Sequence, residues 1–141
     1  MRVLPVLLPL VSLLATSGTR HFYRFDRGGE RPCFGTGRTD ALYPIGMITC
    51  RFAAPFFPSA EMPILDLSVV AIDSESGPRF VRVSGFAADG VKRVGVLGAD
   101  GEIVAEIPVR RNVYYTASPP PNAAALVALA VDGTIVASVP K

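Results

Sequence analysis

The chain has 141 residues, half of them apolar, and a formal net charge of +2. That length holds one domain with a small appendage, the apolar share excludes a disordered chain, and the small charge excludes the dense basic stripe that a phosphate backbone requires. Glycine and proline, 13 of each, disfavour long helices and favour short strands joined by turns. Residues 19–60 carry six arginines against Asp26, Glu30 and Asp40, whereas residues 61–141 carry seven basic and nine acidic groups.

The N-terminus reads MRVLPVLLPLVSLLATSG, with a charge at Arg2 and then an uncharged run from Val3 to Ala15. As a helix that run would rise about 20 Å, short of a bilayer core of about 30 Å, and Pro5 and Pro9 argue further against a spanning helix. A short n-region, an apolar h-region and small residues at Ala15 and Ser17 match a signal peptide over residues 1–17, cut after Ser17. The expected mature chain is secreted or extracytoplasmic and keeps no stable membrane span. Two alternatives stay open: a start codon misplaced inside a longer gene, and the tail of a membrane anchor.

Cys33 and Cys50 are the chain's two cysteines. An even count behind an export signal points to a disulfide, whose closed loop contributes about 3 kcal/mol in the chain-entropy model. Free thiols and a metal site are the other readings. A metal site needs three or four ligands, with close-spaced pairs the rule, and His21 is the only histidine.

After the signal, RHFYRFDR has strand character and Gly28-Gly29 is a turn. RPCFGTGRTD reads as a loop, and YPIGMITCRF as a second strand. Residues 18–54 thus form an aromatic, cysteine-containing β subdomain, too small to bury a core alone. Residues 55–63 contain Pro55, Pro58 and Pro63 and read as an extended linker. Within it, Phe56 and Phe57 either plug the junction of the two parts or offer an apolar contact to a partner.

From residue 64 to 141 the pattern is a series of short strands. ILDLSVVAID is one strand and SESGP a turn. RFVRVSGFA alternates, with Phe80, Arg82 and Ser84 on one face and Val81, Val83 and Gly85 on the other. Asp89-Gly90 turns the chain into VKRVGVLG, and Asp100-Gly101 joins that strand to EIVAEIPV as a hairpin. On the latter strand Ile103, Ala105, Ile107 and Val109 share one side, and Glu102, Val104, Glu106 and Pro108 the other, mostly polar side, as in a half-buried strand. NVYYTA is short and SPPPN is a rigid connection. AAALVALAV and TIVASVP form a second hairpin across Asp132-Gly133. AAALVALAV has helical propensity, but its length between Pro-Pro-Pro and Asp-Gly favours a strand.

Turn signals between short strands at roughly ten-residue spacing predict an antiparallel sandwich. The fold expected is all-β: an Ig-like β-sandwich with a small disulfide-stapled N-terminal β subdomain. RFVRVSGFAADGVKRVGVLGADGEIVAEIPVRRNVYY, residues 79–115, resembles the core of bacterial exported Ig-like or fibronectin-III-like domains. The resemblance covers residues 64–141. It implies that fold and a cell-envelope setting, and it carries no catalytic motif.

No catalytic residue is assigned. Any Ser-His-Asp triad would need His21, no G-x-S-x-G is present, and GTG at 35–37 lacks the rest of a phosphate loop. Glu102 and Glu106 stand about 13 Å apart along a strand, too far for a glycosidase pair. Asp89, Asp100 and Asp132 would share a calcium ion only if their loops converged; otherwise each makes its own turn. No cofactor, metal or nucleic acid is expected. The function expected is non-enzymatic surface contact with a protein, a glycan or the cell envelope, through Phe56, Phe57, Arg110, Arg111, Tyr114 and Tyr115. The alternatives are a small exported enzyme or inhibitor built on the N-terminal subdomain, and the extracytoplasmic end of a longer membrane protein.

Overall fold

The computed structural model describes residues 11–26, 31–40, 46–73 and 77–140. The expected turn at Gly28-Gly29, the start of YPIGMITCRF, residues 74–76 of SESGP and the first ten residues of the expected signal peptide lie outside them. Among the described residues every regular element is a strand, and every pairing is antiparallel. The chain divides into two compact units, Met1–Phe57 and Pro58–Lys141, with the boundary inside the Pro/Phe segment.

The first unit is a sheet of β1 (Val11–Ser17), β2 (Arg20–Asp26), β3 (Pro32–Arg38) and β4 (Met47–Cys50), in that order. β3 corrects the loop expected at RPCFGTGRTD. Its glycines lie opposite aromatic rings, Gly35 across from Tyr23 and Gly37 across from His21. Glycine is a poor strand former alone, but here the missing side chains leave room for the rings of β2. β4 joins β3 with Cys33 in register with Cys50, their Cα atoms 4.4 Å apart and their sulfurs bonded. The staple therefore ties the edge strand β4 to its neighbour. Phe22 and Thr36, in register on one face, are both fully buried, and Arg20 Nη2 donates to Thr36 Oγ1 at 3.1 Å.

The second unit has two sheets. One orders β10 (Val113–Thr116), β7 (Gly77–Ala87) and β5 (Ile64–Asp66), with β6 (Val69–Asp73) also paired to β7; the other orders β12 (Ile135–Pro140), β11 (Ala123–Leu129), β8 (Arg93–Gly98) and β9 (Ile103–Pro108). Ile64, Phe80, Val83 and Tyr114 from the first sheet share one core with Val94, Val96, Ile107, Leu126 and Ala128 from the second, which makes the arrangement sandwich-like.

ILDLSVVAID is two strands rather than one. β5 and β6 lie along the same strand, β7, and part at Leu67-Ser68. Ser68 mends the ladder there: its Oγ accepts from Ser84 N at 3.1 Å, while Leu67 N donates to Ser84 O at 2.8 Å. The simple alternation expected along RFVRVSGFA also fails. Val69 pairs with Arg82 but Val70 with Phe80, so Val81 is an extra residue on β7. A bulge of this kind shifts the side-chain phase by one. Phe80 and Val83 thus both enter the core and Val81 is exposed.

The Asp100-Gly101 hairpin forms as expected. Gly101 takes φ +84°, and Asp100 Oδ1 accepts from Glu102 N at 3.0 Å. AAALVALAV is the strand β11, because it lies inside its sheet with β8 and β12 bonded to its two sides.

Three residues align across the first sheet of this unit: Tyr114 opposite Gly85, and Gly85 opposite Asp66. The Tyr114 phenol passes over Gly85 and donates to Asp66 Oδ1 at 2.7 Å. A Cβ on Gly85 would collide with the phenol and would sit 2.5 Å from the Leu65 carbonyl oxygen. Gly85→Ala should therefore cost about 1–3 kcal/mol as an overpacked site, read as a lower urea midpoint at unchanged m-value; an unchanged midpoint would remove the clamp from this account.

Candidate functional site

The residues expected to form a contact surface fall in two places. Phe57, 41% exposed, packs edge-to-face on Phe34 with ring centroids 6.0 Å apart, and the Arg24 guanidinium lies 4.8 Å from its ring centre. It is thus a partly covered ring on the first sheet, and Phe56 beside it is half-buried. Arg110 and Arg111 are exposed and Tyr115 is half-buried. Tyr114 is 0% exposed, so it is not part of a surface: its ring lies in the core and its hydroxyl is spent on Asp66. Phe52, 88% exposed and not singled out in the sequence, stands two residues beyond Cys50.

Arg110 to Val113 is a two-residue turn. Arg110 N donates to Val113 O at 3.0 Å and Val113 N to Arg110 O at 3.1 Å, with φ of 53° at Arg111 and 65° at Asn112. Positive φ at both central positions is the mirror-image turn that favours Asn-Gly or Asp-Gly, and an L-arginine there pays about 1–2 kcal/mol. Asn112 offsets part of this. Its Nδ2 donates to Ala87 O at 3.0 Å and to Asp89 Oδ1 at 2.8 Å, and its backbone carbonyl accepts from Ala87 N at 2.8 Å.

This turn carries the chain from β9 to β10, and residues 88–92 carry it from β7 to β8, so two crossovers between the sheets run side by side. Val109 N donates to Lys92 O at 3.0 Å and joins them. Between them is a cleft of about 170 Å³ lined by Asp89, Val91, Lys92, Val109, Arg111 and Asn112. Asp89 is engaged by Asn112, which leaves Lys92 and Arg111 as the charged donors at its rim. The cleft is smaller than the roughly 300–1,000 Å³ of drug-sized sites, so it suits one small anionic or polar group. Arg110 and Arg111 were legible as a basic pair and Asp89 as a turn residue; their gathering with Lys92 and Asn112 was not, because the turn that brings them together lacks glycine.

The other polar centre is buried. Asp66 Oδ1 accepts from Ser68 Oγ as well as Tyr114, both at 2.7 Å. Burial raises the Asp66 carboxyl above its usual value, against the hydrogen bonds of Tyr114 and Ser68, which lower it. Burial and the neighbouring carboxylate push the Tyr114 phenol well up. His21 Nδ1 lies 2.7 Å from Thr16 Oγ1, within nucleophile–base reach, and its ring meets Tyr23 edge-on at 5.9 Å. The turn aspartates do not converge: Asp100 caps its own turn, Asp132 Oδ1 accepts from Thr134, and Asp89 holds Asn112. Among the described residues there is no group of three or more His, Cys, Asp or Glu side chains suited to a metal, and no helix long and apolar enough to cross a membrane.

Comparison with protein-family models, with curated proteins and with solved structures finds no match.

Two measurements probe these centres. Arg111→Gly should raise the melting temperature by relieving its φ, whereas Asn112→Ala should lose about 1–3 kcal/mol through the lost hydrogen bonds and a strained alanine. For Asp66, a carboxyl raised in the folded state stabilises the fold fully below its unfolded value of about 3.9, and that contribution is lost as pH rises through the folded value. Asp66→Asn keeps an acceptor for Tyr114 and removes the titration, so urea unfolding should show a flatter decline in stability from about pH 4 upward than the parent chain.

Proposed function

We propose that this chain is an exported β-sandwich module that works by surface contact with a protein, a glycan or the cell envelope, and not by catalysis. The observation that carries the reading is the Cys33–Cys50 bond across β3 and β4, since such bonds persist in oxidising compartments. The leader-like N-terminus supports the same compartment. The sheet order β12-β11-β8-β9 supports the Ig-like resemblance, because it follows the G-F-C-C′ order of those sandwiches. The polar residues support contact over chemistry: Asp66, Tyr114, Ser68 and Ser84 are used inside one sheet, and Asp89 and Asn112 in one turn. Arg111 remains exposed at a strained φ where glycine would rest easily, and such strain is most often retained where a side chain is needed. The contact surface is the Lys92–Arg111 cleft with Arg110 beside it.

A second reading, a small exported enzyme, has one observation behind it, the Thr16–His21 contact. Cleavage after Ser17 would remove Thr16 and that contact with it.

Secretion of the full chain from a bacterial host, followed by intact mass before and after reduction and thiol alkylation, tests the proposal. The expected product begins near Gly18, with thiols that react only after reduction. A chain that keeps residues 1–17 and carries two freely alkylated thiols would overturn it.

A further inference from the structure

We propose that removal of the leader uncovers the outer edge of β2 and that two mature chains pair there, β2 against β2, in a twofold dimer; this rests on the export reading above. β1 fills that edge in the unprocessed chain, running antiparallel from Val11 opposite Phe25 to Ser17 opposite Arg20. The slot thus accepts an extended strand along nearly all of β2. β1 holds it by its backbone more than by its side chains. Its register breaks between Leu13 and Ala15, and Leu13 and Leu14 are 56% and 44% exposed while Ala15 is buried. Cleavage after Ser17 removes all of β1 and none of β2. What remains is β2-β3-β4, with β4 tied to β3 by the Cys33–Cys50 bond and the β2 edge open along Arg20–Asp26. An open edge of this length pairs with another strand unless something blunts it.

The phase of the ladder determines which groups that edge offers. A Cα separation of 4.4 Å marks Cys33–Cys50 as a non-hydrogen-bonded pair. Because bonded and non-bonded pairs alternate, Cys33, Gly35 and Gly37 direct their backbone groups to β2, and their partners Phe25, Tyr23 and His21 direct theirs to β3. Phe22 and Arg24 therefore turn N–H and C=O outward, to the edge that β1 vacates.

The sequence RHFYRFD is complementary to itself in the register this phase allows. Antiparallel pairing centred on Tyr23 sets Phe22 of each copy against Arg24 of the other as the bonded rungs, with His21 against Phe25 and Arg20 against Asp26. A guanidinium meets an aromatic ring at each rung, a contact Arg24 already makes with Phe57. A slip of two residues one way sets Arg20 against Arg24, and the other way sets Arg24 against itself, with like charges opposed. A slip of one sets outward-facing residues against inward-facing ones and breaks the ladder. An isologous contact of this kind closes at two chains.

The test is the sedimentation mass of the secreted product, taken after its intact mass. A product that begins near Gly18 and sediments at twice its chain mass is the expected result. A cleaved product that sediments as a single chain overturns the dimer and leaves export standing, whereas a product that keeps residues 11–17 overturns cleavage after Ser17 and the dimer with it. Arg24→Pro removes an outward N–H and should be monomeric, while Arg24→Ala keeps that N–H and should stay dimeric, each with thiols that react only after reduction. Tyr23→Lys, which opposes two ammonium groups across the twofold axis and keeps every N–H, should weaken the dimer at least tenfold. Dimers that persist in both Arg24→Pro and Tyr23→Lys overturn pairing through β2.

Discussion

The sandwich unit depends on one contact, the Tyr114 phenol on the Asp66 carboxylate across Gly85. Gly85 belongs to β7, the strand that pairs with β10 on one side and with β5 and β6 on the other. Backbone ladders alone would join these strands, but they would leave register open to slips. The clamp fixes it, because only the alignment Tyr114–Gly85–Asp66 lets a tyrosine reach over a residue without a side chain to an acceptor two strands away. It also places a carboxylate at the rim of an apolar core, and that costs desolvation, as the raised Asp66 carboxyl shows. Ser68 shares the cost by donating to the same oxygen and by accepting from Ser84 N, where β5 gives way to β6. The break in the strand and the clamp are thus one device: the chain leaves regular pairing at Leu67-Ser68, where Ser68 is needed by both.

With the centre of this sheet so committed, variation is left to the ends of the sandwich. The two crossovers at residues 88–92 and 109–112 are joined by Val109 N to Lys92 O and by Asn112 to Ala87 and Asp89. They form a rigid rim, and on a rigid rim even a small cleft can hold a ligand group without paying for loop ordering. Exposed Arg111 at a left-handed φ is the least comfortable backbone position of that rim. Its cost is local and is met by Asn112, so the fold tolerates a cation there.

What was legible in the sequence follows a physical line. β2, β8, β9, β11 and β12 announced themselves, because aromatic or branched residues formed runs and Asp-Gly pairs marked the two hairpins. Disulfide pairing needed no more than the count of cysteines. β3 was missed since its strand character lies in its partner: Gly35 and Gly37 are favourable only under the rings of Tyr23 and His21. The bulge at Val81 was missed since one extra residue on one strand leaves no mark in the composition, and it moved Phe80 to the face of Val83. Tyr114 read as a surface residue beside two arginines. Nothing local says that its neighbours in space are Gly85 and Asp66, 29 and 48 residues back along the chain. The Arg111-Asn112 turn has the chemistry of Asn but not the usual glycine, so its hairpin geometry was invisible to a search for Asn-Gly.

The two edges of the first sheet are treated differently. β4 is an edge strand tied down by a covalent bond, with Ile48 exposed on it and Phe52 exposed just past its end. β2 is an inner strand only for as long as β1 is present. In the proposed pairing its two arginines oppose the slipped registers. Edge strands that must stay single carry inward charges, prolines or bulges on their free side. β2 has no proline, its one buried charge, Arg20, is satisfied by Thr36, and the register break lies in β1 instead, between Leu13 and Ala15. The irregularity that blunts an edge thus sits on the strand that processing would remove. Under the proposed cleavage after Ser17, such a sheet is single before processing and ready to pair after it.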